Sequence, residues 1–216
     1  MCIRDRYFDG SGVAKHLQFK NDLRTQSYEL TPYDETLLLD SDYIIANSLF
    51  KHCFEQDHDF LIFKNAIDLT AWRNTDEFQK ISDASVDFYW ATVIFFRKSE
   101  ENKIFFDLTK HIQENWDHYN SIFQVNRGTF RNDHVFSVAI HIMNGYQSGD
   151  FARKLPGKKY YTADRDILWD LKDDNFLFLL EKENHLGEYT PLRIKGSNVH
   201  VMNKFSLNRI IDRGDV

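Results

Sequence analysis

Apolar residues follow two rhythms along this chain. Leu37, Leu38 and Leu39 in ETLLLD, the run DFLIFKNAI (59–67) and the run YWATVIFF (89–96) are short, rich in aromatic and β-branched residues, and of strand length. From Ser99 onward the spacing changes. Ile104, Phe105, Leu108, Ile112, Trp116, Tyr119 and Phe123 recur mostly at three and four positions, which predicts a helix with one apolar face. Ser99 reads as its N-cap, with Glu100 and Glu101 in the first turn, where acids suit the helix dipole. A second helix is predicted over HVFSVAIHIM, capped by Asn132 or Asp133 and stopped at Gly145. Asn47 is placed to cap a shorter one through SLFKHCFE. QSGDFARKLPGKKYY reads as a loop, NFLFLLEK and SNVHVM as strands, and KFSLNRIID as a closing helix. Strands alternating with helices predict an α/β layered domain with no internal repeat and no linker.

Composition narrows the class. With 216 residues, 42% hydrophobic and 15% aromatic, the chain can bury one sizeable core. A net charge of −6 and scattered basic residues argue against nucleic acid as a partner. No apolar run approaches the ~20 residues of a membrane span, so no integral membrane segment is expected. The opening hexapeptide MCIRDR resembles the translation of a transposon end used in sequencing-library preparation; residues 1–6 are therefore set aside as a scar, and 7–216 read as the domain. Cys2 falls inside the scar. Cys53 is then left without an intramolecular disulfide partner, which suits a reducing cytosol and a cytoplasmic protein, and it reads as a small core residue.

The chemistry concentrates at Asp40-Ser41-Asp42, between the leucine run and the apolar Tyr43-Ile44-Ile45. In extended chain, residues i and i+2 point the same way, so both carboxylates could aim at one spot. At ~5 Å and an effective dielectric of ~20 their repulsion is roughly 3 kcal/mol. A divalent cation, a basic partner or a raised pKa would each relieve it. Oxygen ligands favour magnesium, manganese or calcium. The other reading is a solvated turn at the end of the strand. In open α/β sheets ligands bind beyond the carboxyl ends of the strands, and Asp40 and Asp42 stand at such an end.

The stretch TPYDETLLLDSDYIIANSLF resembles the strand and D-x-D motif of nucleotide-sugar glycosyltransferases of the GT-A fold, family 8 and its glycogenin-like members in particular. The likeness extends more weakly through WATVIFFRKSE, FRNDHVF and SNVHVMNK. It implies a GT-A, Rossmann-like α/β layered domain with a mixed central sheet. It also implies Mn2+ or Mg2+ held by Asp40, Asp42 and a late histidine, matched here by His200. Lys204 would stand at the donor's diphosphate, with Ser41 and Arg24 as further donor contacts. Asp133 matches an acidic residue that binds sugar in that family, and is the one candidate for a base toward the acceptor. The implied partners are a nucleotide-diphosphate sugar, UDP-sugar first, and a glycan or other hydroxyl acceptor. Since 33 residues separate the scar from Asp40, against the ~60 needed for two βα units, part of the N-terminal nucleotide-binding half is expected to lie upstream.

The chain also departs from that pattern. Ala91 and Thr92 stand where the family has Asn and Gly, and the glycines and Pro-Trp pair around the late histidine are absent. His200 then reads equally as a polar residue on a surface strand, Asp133 as an N-cap, and Lys20 as a solvated side chain; Arg24 could instead pair with Asp34. His111, His118, His134 and His141 read as structural. Two other functions share the motif: a haloacid-dehalogenase-type phosphatase, using Asp173 and Asp174 as late metal acids, and a non-catalytic sugar-nucleotide or glycan-binding module.

Overall fold

The computed structural model describes residues 6–8, 14–16, 22–64, 66–69, 73–74, 80–81, 86–125, 130–157, 160–182 and 185–214. Lys20 and residues 1–5 lie outside them. Two short strands, β1 (Arg6–Phe8) and β2 (Ala14–His16), pair antiparallel. A 3-10 turn (Asp22–Gln26) leads into a single helical turn, α1 (Ser27–Leu30). There follow β3 (Glu35–Leu39), β4 (Tyr43–Ile44), a 3-10 turn (Leu49–Cys53), β5 (Phe60–Phe63), β6 (Ala66–Asp68), β7 (Arg73–Asn74) and β8 (Trp90–Arg97). The helices α2 (Glu100–Glu114), α3 (Trp116–Ile122) and α4 (Asn132–Met143) come next. The chain ends with β9 (Arg153–Lys154), β10 (Tyr160–Ala163), β11 (Leu168–Lys172), β12 (Asn175–Glu181), β13 (Tyr189–Lys195), β14 (Val199–Val201) and α5 (Lys204–Arg213).

Besides the β1-β2 pair, three sheets organise the described strands. One has the order β3-β8-β5-β9, the second β4-β14-β10-β6-β7, and the third is the meander β11-β12-β13. The first two are mixed: β10 runs parallel to both β14 and β6, while β4 and β7 close the edges antiparallel. The molecule is thus a mixed α/β protein.

Period-2 alternation explains the layering. On β8, Ile94 and Phe96 face a core shared with Phe105, Ile112, Phe136 and Ile140 of the helices. Val93 and Phe95 face the other way, onto Tyr160, Tyr43 and Phe50, where the second sheet packs. On that sheet's far side Val199, Val201 and Ala163 meet Phe176, Phe178 and Ile210. Each fully buried Phe contributes about 1.5–3 kcal/mol relative to exposure. Coverage of the first sheet on two faces explains why its central strands, β8 and β5, read as nearly continuous apolar runs.

Several expectations need correction. The leucine run, which reads from its three consecutive leucines as a buried strand, is the edge strand β3 with half-buried leucines, and burial is carried by its neighbours β8 and β5. DFLIFKNAI is split between two sheets, as β5 and β6. Ser99 does cap α2, accepting from Asn102 N–H at 3.2 Å, but Ile104 is 59% exposed and Phe106 takes its place in the core. That helix also breaks at Asn115, so Trp116 and Tyr119 belong to α3. Residue 131, rather than Asn132 or Asp133, holds the N-cap position of α4, with no side-chain cap. The loop after Gly145 contains β9 and runs into β10, whose strand character a lysine- and glycine-rich surround conceals. Among the described residues no helix is long and apolar enough to cross a membrane.

Candidate metal centre

The Asp40-Ser41-Asp42 segment is where the chain passes from the first sheet into the second: β3 ends at Leu39, and β4 begins at Tyr43. A turn makes the passage, with Tyr43 N–H donating to the Asp40 carbonyl at 3.1 Å. The motif is therefore a turn, as one sequence reading had it, yet it is not a solvated one. Asp42 is buried and Asp40 half-buried, while Ser41 between them is exposed. Two backbone bonds fix the turn from either side: Asp40 N–H donates to the Thr92 carbonyl of β8 at 3.0 Å, and Val201 N–H of β14 donates to the Asp42 carbonyl at 2.9 Å.

Pairing of β14 with β4 sets His200 opposite Tyr43 and brings its ring to the two acids. Nε2 of His200 lies 2.9 Å from Asp42 Oδ1 and 3.8 Å from Asp40 Oδ2. One ligand atom from each of Asp40, Asp42 and His200 falls within 4.8 Å of the others. Two oxygens and an imidazole nitrogen at that spread suit a hard or borderline divalent ion at about 2.1 Å, after a small inward adjustment. On the side away from the acids, His200 Nδ1 is 2.5 Å from the Tyr160 hydroxyl, which is also 2.9 Å from Thr92 Oγ1. Tyr160 stacks beside the His200 ring and Tyr43 lies tilted against it, with centroids 6.0 and 6.3 Å away, and together they wall it from water.

The charges are balanced within the protein. Lys204, at the first turn of α5, donates to Asp42 Oδ2 at 2.7 Å. The Arg24 guanidinium pairs with Asp40 and also donates to the Ala91 carbonyl. Of the remedies for repulsion between the acids, basic partners stand at both carboxylates, and Asp40 also has a raised pKa. Burial raises the Asp40 pKa against the pull of Arg24 and His200, and the neighbouring Asp42 and Asp133 add to the rise. Burial also opposes charge on Asp42, but its hydrogen bond to His200 and its pairing with Lys204 outweigh it, holding that carboxyl at about 2. Burial lifts the Tyr160 phenol well above an ordinary tyrosine, so it remains a neutral hydroxyl.

The remaining sequence candidates divide. Arg24 is only 6% exposed in its side chain and turns to Asp40 rather than Asp34, so it faces the acids rather than solvent. Lys204, at 38%, keeps an outlet to solvent. Asp133 has both oxygens engaged: Oδ1 accepts from Ala91 N–H at 2.8 Å, and Oδ2 accepts from Arg131 Nε at 3.1 Å. It therefore anchors the start of β8, whose Ala91 carbonyl in turn receives Arg24. Asp173 and Asp174 occupy the turn between β11 and β12, in a different sheet from Asp40. His134 is stacked on Trp116, and His141 packs edge-on to Phe123, as structural histidines do. Sequence reasoning missed Tyr160 and Thr92. Thr92 alone drew notice in the sequence, as an unexpected residue beside Ala91, and nothing pointed to Tyr160, since the contact joins residues 68 positions apart.

The chain matches no family model, no curated protein and no solved structure.

Proposed function

We propose that this protein is a metal-dependent glycosyltransferase domain of the GT-A type, moving a sugar from a nucleoside-diphosphate donor to a hydroxyl acceptor. The observation that carries the reading is the meeting of His200 and Lys204 with a D-x-D turn 158 and 162 positions earlier. Those are the two late residues that the sequence resemblance singled out. Mn2+ or Mg2+ held by Asp40, Asp42 and His200 would supply charge stabilisation to a departing diphosphate, worth several kcal/mol without moving a proton. Lys204 then has a second task. Its ammonium, now balancing Asp42, is free to turn to a phosphate oxygen once Asp42 is otherwise neutralised, adding a charge-assisted hydrogen bond. Arg24 stays with Asp40 and holds it in position. Asp133, to take a proton from an acceptor, would first have to release Arg131.

One observation favours a second reading. Both carboxylates are already balanced by Arg24 and Lys204, as in a cluster that serves only to join two sheets.

Calorimetric titration with Mn2+, then with UDP in its presence, separates the two. A saturable Mn2+ site that is lost in Asp42→Asn with the fold intact, and UDP binding that needs the ion, are the expected results. If Asp42→Asn changes only stability and the unmodified chain takes up no Mn2+, the transferase reading is lost and the joint remains.

A further inference from the structure

The hydrogen bonds behind His200 contain a proton count. Tyr160 is wholly buried, and Thr92 and His200 are nearly so. Water is therefore excluded from the exchange between them. Tyr160 has one hydroxyl proton and donates it to Thr92 Oγ1 at 2.9 Å. Its 2.5 Å contact with His200 Nδ1 can then be a hydrogen bond in one way only, with Nδ1 carrying a proton and the Tyr160 oxygen accepting it. A proton on Nδ1 leaves Nε2 as the nitrogen able to offer a lone pair, and Nε2 is the one facing Asp42 and Asp40 at 2.9 and 3.8 Å. With a cation bound, Nε2 presents the lone pair while Nδ1 keeps its proton.

We propose that Tyr160 is a positioning residue: its hydroxyl, oriented by Thr92, keeps the proton of His200 on Nδ1 and so aims the Nε2 lone pair at an ion shared with Asp40 and Asp42. The proposal rests on reading that group as a cation site. Metal-bound histidines commonly have an oxygen acceptor on the second nitrogen; here the acceptor is a phenol that must itself be told which way to point. Thr92 supplies that instruction from β8, and the same residue's carbonyl receives Asp40 N–H at 3.0 Å. One residue therefore governs the placement of a carboxylate and the tautomer of an imidazole.

Three variants test it: Tyr160→Phe, Thr92→Val and Thr92→Ser. Thr92→Val removes the acceptor for the Tyr160 proton while nearly preserving shape. Tyr160 must then donate to Nδ1, and the imidazole proton moves to Nε2. Thr92→Ser keeps the acceptor. Mn2+ affinity by calorimetry is expected to fall ~10–100-fold in Tyr160→Phe and in Thr92→Val, and to return to within a few-fold in Thr92→Ser. Two-bond 1H–15N correlation spectra with Mg2+ should show His200 protonated on Nδ1 in the unmodified chain and in Thr92→Ser. In Tyr160→Phe and Thr92→Val, without metal, the proton should appear on Nε2. Folded Tyr160→Phe and Thr92→Val chains that bind Mn2+ as tightly as the unmodified one, with the tautomer unchanged, overturn the proposal. If Tyr160→Phe does not fold, the Thr92→Val and Thr92→Ser pair decides alone. If the unmodified chain binds no Mn2+, the cation reading fails. The tautomer spectra of the metal-free chains then decide about Tyr160: an Nδ1 proton retained in both variants sinks it.

Discussion

Asp40 and Asp42 are one residue apart and differ in every physical respect that matters. Asp40, half-buried, sits against the buried Arg24 guanidinium, and its carboxyl is pushed above the ordinary value by desolvation. Asp42 receives His200 and Lys204, and its carboxyl is held down at about 2. The sign of the pH dependence follows. A carboxylate with a depressed folded-state pKa stabilises the fold above its unfolded value near 4 and loses that contribution as pH falls toward 2. In metal-free protein the loss attributable to Asp42 should be about 2 kcal/mol. Asp40, with a raised pKa, titrates above that window and contributes with the opposite sign. Urea denaturation at intervals from pH 5 to pH 2 measures the effect, and Asp42→Asn should remove the share of it that Asp42 contributes. A variant with the same acid profile as the unmodified chain would place the linkage elsewhere.

At the scale of elements, α2 carries the clearest test of the packing. Ile104 has the right spacing for the apolar face of α2, yet it points to solvent, and Phe105 and Phe106 fill the core between the helices and the first sheet. Ile104→Ser should therefore change stability by no more than about 0.5 kcal/mol, and Phe105→Ala should cost about 3–5 kcal/mol. Chemical denaturation of the two variants checks both at once. Much of this level was legible in the sequence, because strand-length runs and the three-four spacing are local signals. The Ser99 cap, the long β8 and the closing helix α5 could be read directly. What could not be read depended on partners far along the chain. An apolar run looks the same at the edge of a sheet as at its centre, so nothing in the leucines marks β3 as an edge strand with β8 as its one neighbour. DFLIFKNAI has no internal mark of where one sheet ends and the next begins. The site was legible to the same degree. Asp40 and Asp42 announce themselves by carrying charge into apolar surroundings, and His200 and Lys204 followed from resemblance. Tyr160, Thr92 and the true partner of Arg24 are set by tertiary contacts that no spacing encodes.

For the molecule as a whole, the layers run from helices through the first sheet to the second, and then to the meander with α5. Cys53 lies in the apolar layer between the two larger sheets, and burial raises its thiol pKa to about 12. In a Cys2→Ser background, a thiol reagent should therefore label it at the rate of global unfolding and no faster. Labelling in seconds under native conditions would mean that this layer opens locally. Mn2+ at a hundred times its dissociation constant should add about 2.7 kcal/mol to the stability of the same chain, with reversal by chelator.

The D-x-D turn joins β3 of one sheet to β4 of the other, and the atoms gathered around it come from both sides of that seam. Asp40 and Arg24 are tied to β8 through the Thr92 and Ala91 carbonyls, while Asp42 is tied to β14 through Val201 and His200. An ion held there is a rivet through two plates. It can be gripped only while the plates are docked, so its binding energy becomes resistance to their sliding apart. Hydrogen exchange would register this as protection gained together by the amides of β3 and β14, two strands in different sheets that share no backbone hydrogen bond with each other.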